Sequence, residues 1–210
     1  MQISISTANR PKPGFTAAAC EDAWAPETGP QDSAANFRCA VADGASTSAY
    51  SRPWAQILVR DFLAETPLPE SQAAWREIVG VGDTDGPWWL THKVAEGAHS
   101  AFLGLEINEA GWQAIAWGDA CLFHVRSSQI LSSFPLQSAA DFPDQPMLLS
   151  SIGDNPVALQ ARGEWAPGDH FLLATDAVAR QLFELPITDT VWGELAPAND
   201  DMTLMRVQLS

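Results

Sequence analysis

The second half of the chain is a succession of short apolar runs that alternate with polar residues and stop at turn residues, the pattern of strands packed on a core. Alternation and bounding turns predict strands at 37–42, 112–117, 120–126, 129–134, 157–161, 170–174 and 202–209. After the first of these the period changes to three and four residues. Trp54, Ile57, Leu58 and Phe62 predict a helix ending before Pro67, a second is expected over 71–79, and a third over 88–105 with Leu90, Val94, Ala98, Ala101 and Leu105 as its apolar face. Short helices are expected after Asp176 and Thr188, cap-capable residues that open apolar periodic runs. Residues 80–87, GVGDTDGP, read as a loop; no acid stands in register for the twelfth position of an EF-hand. Gly118-Asp119 between two strand-like runs fits a hairpin turn. Strands joined by short turns around one block of helices specify an α+β fold, a four-layer αββα sandwich of mostly antiparallel sheets flanked by helices. At 210 residues one domain is the default.

Charge removes several classes of function. Eleven Lys and Arg stand against 26 Asp and Glu, for a net charge of −15, and only Lys12 and Lys93 are lysines. No basic stripe is available to neutralise phosphates along a duplex, so nucleic acid is excluded as a partner. An apolar fraction of 46% with nine Trp sets the chain apart from acidic disordered sequences. The start, MQISISTANR, has neither a basic nor an apolar signal region, and no stretch approaches the roughly 18 apolar residues of a membrane span, so a cytoplasmic protein without membrane contact is expected. Cys20, Cys39 and Cys121 lack metal-ligand spacing and read as small buried hydrophobes. His92 and His99 would share a face of the third helix, and His124 and His170 would face a helix or solvent from their strands. Trp54, Trp112, Trp117 and Trp165 occupy apolar-periodic positions and read as core. Neither a glycine-rich phosphate loop nor a GxSxG elbow is present.

Several acids fall where a strand ends beside small residues: Glu21-Asp22, Asp43 in VADGAS, Asp119 in WGDA, Asp176 in LLATDA, and Asp200-Asp201 in NDDMT. An apolar run that ends in Asp delivers a carboxylate to the rim of a sheet. Singly, each is an ordinary turn or cap residue. If Asp43, Asp119, Asp176 and Asp200 meet at one rim, close pairs repel by about 4 kcal/mol at 4 Å and an effective dielectric of 20. Such a cluster demands raised pKa values or cations, and oxygen donors without a His/Cys set favour hard ions, Mg or Mn.

The ordered set resembles the metal-dependent protein phosphatase family, protein phosphatase 2C. The family's Asn-Glu-Asp, DG, GDS, TDG and DN-x-T segments have counterparts in Cys20-Glu21-Asp22, Asp43-Gly44, Gly118-Asp119-Ala120, Thr175-Asp176-Ala177 and Asp200-Asp201-Met202-Thr203, so the likeness spans about residues 15–209. A narrower likeness, to compact bacterial members, rests on the DGAS turn followed by Trp54-Ala55. The resemblance implies a Mg/Mn-dependent phosphoserine/phosphothreonine protein phosphatase in which water attacks at a binuclear centre. It places Asp43 between two ions, the Gly44 carbonyl on one, Asp176 and Asp200 on the other, and Glu21 and Asp22 as direct or water-mediated ligands. Asp119 with Asp176 would take a third, weaker ion. Asp43, Asp176 and Asp200 are the residues expected to be essential for catalysis. The partner implied is a phosphorylated protein, with a cognate Ser/Thr kinase as its source. The sequence departs from the pattern where a phosphate-gripping Arg would stand four residues before the Glu, at Ala17; Arg10 and Lys12 are the nearby cations. The rival reading is a weak or inactive pseudophosphatase that binds phosphoproteins or regulates.

Overall fold

The computed structural model describes residues 2–27, 29–32, 36–80 and 88–210. Two sheets lie face to face. The first has the order β3-β1-β12-β11-β7-β8, from β1 (Gln2–Arg10), β3 (Gly29–Asp32), β7 (Cys121–Arg126), β8 (Gln129–Phe134), β11 (His170–Ala174) and β12 (Met202–Leu209). The second has the order β10-β6-β5-β4-β2, from β2 (Asp22–Ala25), β4 (Asn36–Gly44), β5 (His99–Asn108), β6 (Gly111–Trp117) and β10 (Leu159–Gly163), with β9 (Leu149–Ser150) paired to β5. All of these pairings are antiparallel.

Alternation along the strands sorts the apolar residues into three layers. Val41, Leu103, Leu105, Leu122, Phe171 and Met205 fill the space between the sheets. On the outer face of the second sheet, Ala40, Ala42 and Phe102 meet Trp54 of α1 (Ser51–Ala64) and Trp75 of α2 (Leu68–Val79). On the outer face of the first, Phe123 and Leu172 meet Val178 and Leu182 of α4 (Asp176–Leu182) and Val191 of α5 (Val191–Glu194). The fold is α+β in the order helix, sheet, sheet, helix. The three cysteines are free and buried. Trp54, Trp112, Trp117 and Trp165 each donate the indole N–H to a backbone carbonyl.

Several expectations are corrected. Helix α3 (Trp88–Glu96) stops well short of residue 105, and Ala98, Ala101 and Leu105 belong to β5 or its approach. A strand at the centre of a sheet covered on both faces loses its alternation, and the eight inner residues of β5 are all buried. Its apolar residues therefore imitate helical spacing. His99 thus lies in β5 rather than on a helix, while His92 remains on α3, paired with Glu96. Gly118-Asp119 is not a hairpin turn, because β6 and β7 belong to different sheets and the chain crosses the sandwich there. His124 faces the space between the sheets, stacked on Phe171 and bonded to Asp169, instead of a helix or solvent. Strand β10 starts two residues later than expected, leaving Val157 89% exposed. The expected loop at 81–87 lies outside the described residues. Among the described residues no helix is long and apolar enough to cross a membrane.

Candidate metal centre

The register of β2 on β4 sets Asp22 opposite Asp43. Phe37, Cys39 and Val41 point between the sheets, so Asp43 does too, and its cross-strand neighbour shares that face. Two carboxylates opposite one another on one face are a destabilising pair unless something neutralises them. The other sheet supplies three more acids at the same rim. Asp119 sits on the link that crosses from β6 to β7, Asp176 opens α4 directly after β11, and Asp200 lies on the lip just before β12.

Charge ties these five residues together. Withdrawal from water pushes Asp43 well above the carboxylate range, and the charges of Asp22, Asp176, Asp200 and Asp119 push it further. Burial lifts Asp22 to about 8, against the opposing hydrogen bonds of Thr203 and Thr175. Burial, then Asp176, lifts Asp119 to about 6, and Asp200 is raised by burial and by Asp176.

A supporting set holds the cluster in shape. Asp22 Oδ2 accepts from Thr203 Oγ1 at 2.6 Å and Thr175 Oγ1 at 3.1 Å, and Asn9 donates to Thr203 Oγ1 at 2.9 Å. Asp201 adds its charge to Asp22 but has both carboxylate oxygens committed to the amino-terminal segment, accepting from the backbone N–H groups of Lys12 at 2.8 Å and Glu21 at 2.7 Å. Of the two adjacent acids, Asp200 is therefore the one free to face the cluster. Gly44 is required by close approach, since a Cβ there would stand 2.9 Å from the Glu21 carbonyl oxygen and the Ser51 carbonyl carbon. Glu21 is set apart from the five: its carboxylate accepts from Ser51 Oγ at 2.6 Å, from Lys12 Nζ at 3.2 Å and from Ser46 Oγ. Lys12 Nζ also donates to Ser46 Oγ at 2.9 Å and lies over the Phe15 ring. Burial lowers the Lys12 pKa, but the Glu21 hydrogen bond and charge outweigh it, and the net shift is upward. Arg10 does not reach the site; it donates to the Leu195 carbonyl and lies over Trp192.

No group of three or more His, Cys, Asp or Glu side chains among the described residues stands ready to grip an ion. The donor chemistry nevertheless fits a hard cation. Asp22 Oδ1 and Asp176 Oδ1 are buried without a hydrogen-bond partner, and a buried carboxylate oxygen left unpaired is a costly arrangement that a cation relieves. All five acids offer only oxygen, as Mg or Mn requires.

Solved structures share the whole architecture. RsbX in complex with magnesium aligns over 100% of this chain and 96% of its own, with TM-score 0.61 and 18% identity. The serine/threonine phosphatase PstP/Ppp of Mycobacterium tuberculosis covers 100% of both chains, at 0.64 and 14%. The PPM Ser-Thr phosphatase MsPP of Mycobacterium smegmatis, solved with cacodylate, covers 99% of this chain and 98% of its own, at 0.62 and 16%. This is the PPM phosphatase fold. No protein-family model matches the sequence, and no curated protein matches it. In this PPM fold the five acids lie together at one rim of the sandwich, while Glu21 flanks them. Thr175 and Thr203 belong to the acidic motifs of the sequence, but their bond to Asp22 depends on β11, β12 and β2 meeting, and Ser51 carries no signal in the sequence.

Proposed function

We propose that the protein is a Mg/Mn-dependent phosphomonoesterase acting on phosphoserine or phosphothreonine in proteins, with a Ser/Thr kinase supplying its substrate. The observation that carries this reading is the cross-strand Asp22–Asp43 pair, with its unpartnered buried oxygen, at the rim of a PPM fold. The acids assigned as ligands are Asp22, Asp43, Asp119, Asp176 and Asp200, with the Gly44 carbonyl and, through water, Glu21. Two divalent ions, and a third held more weakly between Asp119 and Asp176, would supply Lewis-acid activation of water and neutralisation of phosphoryl charge.

The chain's own residues do the positioning. Thr175 and Thr203 hold Asp22 Oδ2, which leaves Oδ1 without a partner on the residue that stands opposite Asp43. Asp201 fixes the backbone of Lys12 and Glu21 together, which places an ammonium at the mouth of an otherwise anionic site. A dianionic phosphomonoester entering a chain of net charge −15 needs that cation, and Lys12 takes the role for which Ala17 offers nothing. Arg180 is engaged with Asp176 at 3.6 Å and with the Phe142 ring.

The test is phosphate release from p-nitrophenyl phosphate and from a phosphothreonine peptide, with millimolar Mn or with EDTA. The proposal expects turnover that needs Mn and is lost in Asp176→Asn. No turnover at any Mn concentration in a folded protein would leave a phosphoprotein-binding module as the reading.

A further inference from the structure

A groove of about 730 Å³ runs from the acid cluster along the outside of the second sheet, between α1 and the edge strand β2. Asp22 lines both the groove and the cluster, so the two are continuous. Both walls run the same way: β2 leaves the rim at Asp22, and α1 leaves it near Ser51, which bonds Glu21. From Arg52 to Ala64 the helix covers about 18 Å at 1.5 Å per residue, the length of roughly five extended residues.

Three features point to a polypeptide as the occupant. First, β2 is paired only to β4 among the described residues, so its outer backbone groups are open to a further strand. Second, the lining is mainly apolar, with Ala23 and Ala25 of β2 on the side of Val59 and Leu63 of α1. Third, Arg52 and Arg60 edge the groove, two of only 11 basic residues in a chain of net charge −15, with Glu27 at the far end.

We infer that this groove seats the extended segment flanking the phosphorylated residue of a protein substrate, apolar with acidic side chains opposite the arginines, as an added strand on β2. The inference rests on the phosphatase reading for what lies at the rim, and it names what selects the substrate. A small phosphomonoester reaches the rim without touching the groove; a phosphoprotein uses both.

The experiment compares p-nitrophenyl phosphate with a phosphothreonine peptide whose flanking residues alternate Asp with Val and Leu. Two variants act at exposed positions that carry no ion pair, so that folding is preserved: Ala64→Trp fills the groove and Gln56→Glu adds a negative charge to its wall. The expected result is a tenfold or greater rise in KM for the peptide in each, with p-nitrophenyl phosphate kinetics within twofold of wild type. Peptide kinetics unchanged in both variants, or both substrates falling together, would overturn the groove. If the wild type hydrolyses neither substrate, the phosphatase reading fails, and anisotropy of the fluorescein-labelled peptide then tests the groove alone. Binding lost in both variants supports it, and binding absent from the wild type or unchanged in the variants overturns it.

Discussion

Replacing Asp43 by Asn should stabilise the metal-free protein while removing its response to metal. Asp43 faces Asp22 across an antiparallel pair, where Cβ atoms stand about 5 Å apart. Two full charges at that separation would repel by about 3 kcal/mol at an effective dielectric of 20, and the fold avoids this by holding Asp43 protonated, at a cost that grows with pH. The gain is therefore larger at pH 8.5 than at pH 5, because Asp43 is pushed well above the carboxylate range. At pH 5 the raised carboxyls hold protons and most of the gain disappears. The new amide also brings donors to a rim where Asp22 Oδ1 has no partner. For a chain of 210 residues, 1 kcal/mol moves Tm by about 2–4 °C, so the expected rise in EDTA is about 6–12 °C at pH 8.5. Differential scanning calorimetry in EDTA and in millimolar Mn, at both pH values, reads the effect. Wild type should gain Tm with Mn and Asp43→Asn should not. A Tm unchanged or lowered in EDTA at pH 8.5, or a difference as large at pH 5, would refute the charge argument.

Other outcomes follow from the same geometry. Asp119 and Asp22 titrate in the folded protein near 6 and 8 against 3.8 unfolded, so the stability tied to their protonation is complete below about pH 4 and is lost as pH rises through those values. Urea melts in EDTA should weaken between pH 5 and 8.5, and Mn should flatten the dependence. Lys12→Met should raise KM for phosphomonoesters roughly 10- to 100-fold with kcat little changed, and Lys12→Arg should recover most of the loss in steady-state assays. Gly44→Ala should cost about 1–3 kcal/mol in denaturant melts, because its Cβ meets backbone of Glu21 and Ser51 that cannot simply rotate away. At the other end of β7, the buried Asp169 accepts from Arg126 Nε at 2.5 Å and Ala166 N at 2.9 Å and pairs with His124 Nε2 at 2.8 Å, so Asp169→Asn should lower Tm without changing KM.

The acids were legible in the sequence because buried strands deliver their terminal residues to a rim whatever the topology, and apolar runs mark those strands plainly. Singly, Asp43, Asp119 and Asp176 still read as turn or cap residues, and it was their order along the chain, which resembles the phosphatase motifs, that marked them as a set. Topology was less visible. The Gly118-Asp119 pair has the chemistry of a hairpin turn, and nothing local states that β6 and β7 pair with other strands; yet this crossing is what brings Asp119 over to the acids. Strand β5 hid behind helical spacing because both of its faces are covered. Lys12 and Asp201 were legible as charges but not as partners, since they meet only after β1 and β12 pair over 3–10 and 202–209. Counting back from Thr203 in the DN-x-T likeness selects Asp200 over Asp201 in the sequence; what the sequence does not carry is that Asp201 is held by the backbone N–H groups of Lys12 and Glu21.

The most direct test of the account is calorimetric titration of Mn into the wild-type protein and Asp43→Asn at pH 7, in two buffers of different ionisation enthalpy. The account predicts saturable binding by wild type, with proton release because Asp22 is still largely protonated at that pH, and loss of that binding in Asp43→Asn. Absence of binding to a folded wild type, or equal binding by the variant, would contradict the assignment of these acids as a metal centre.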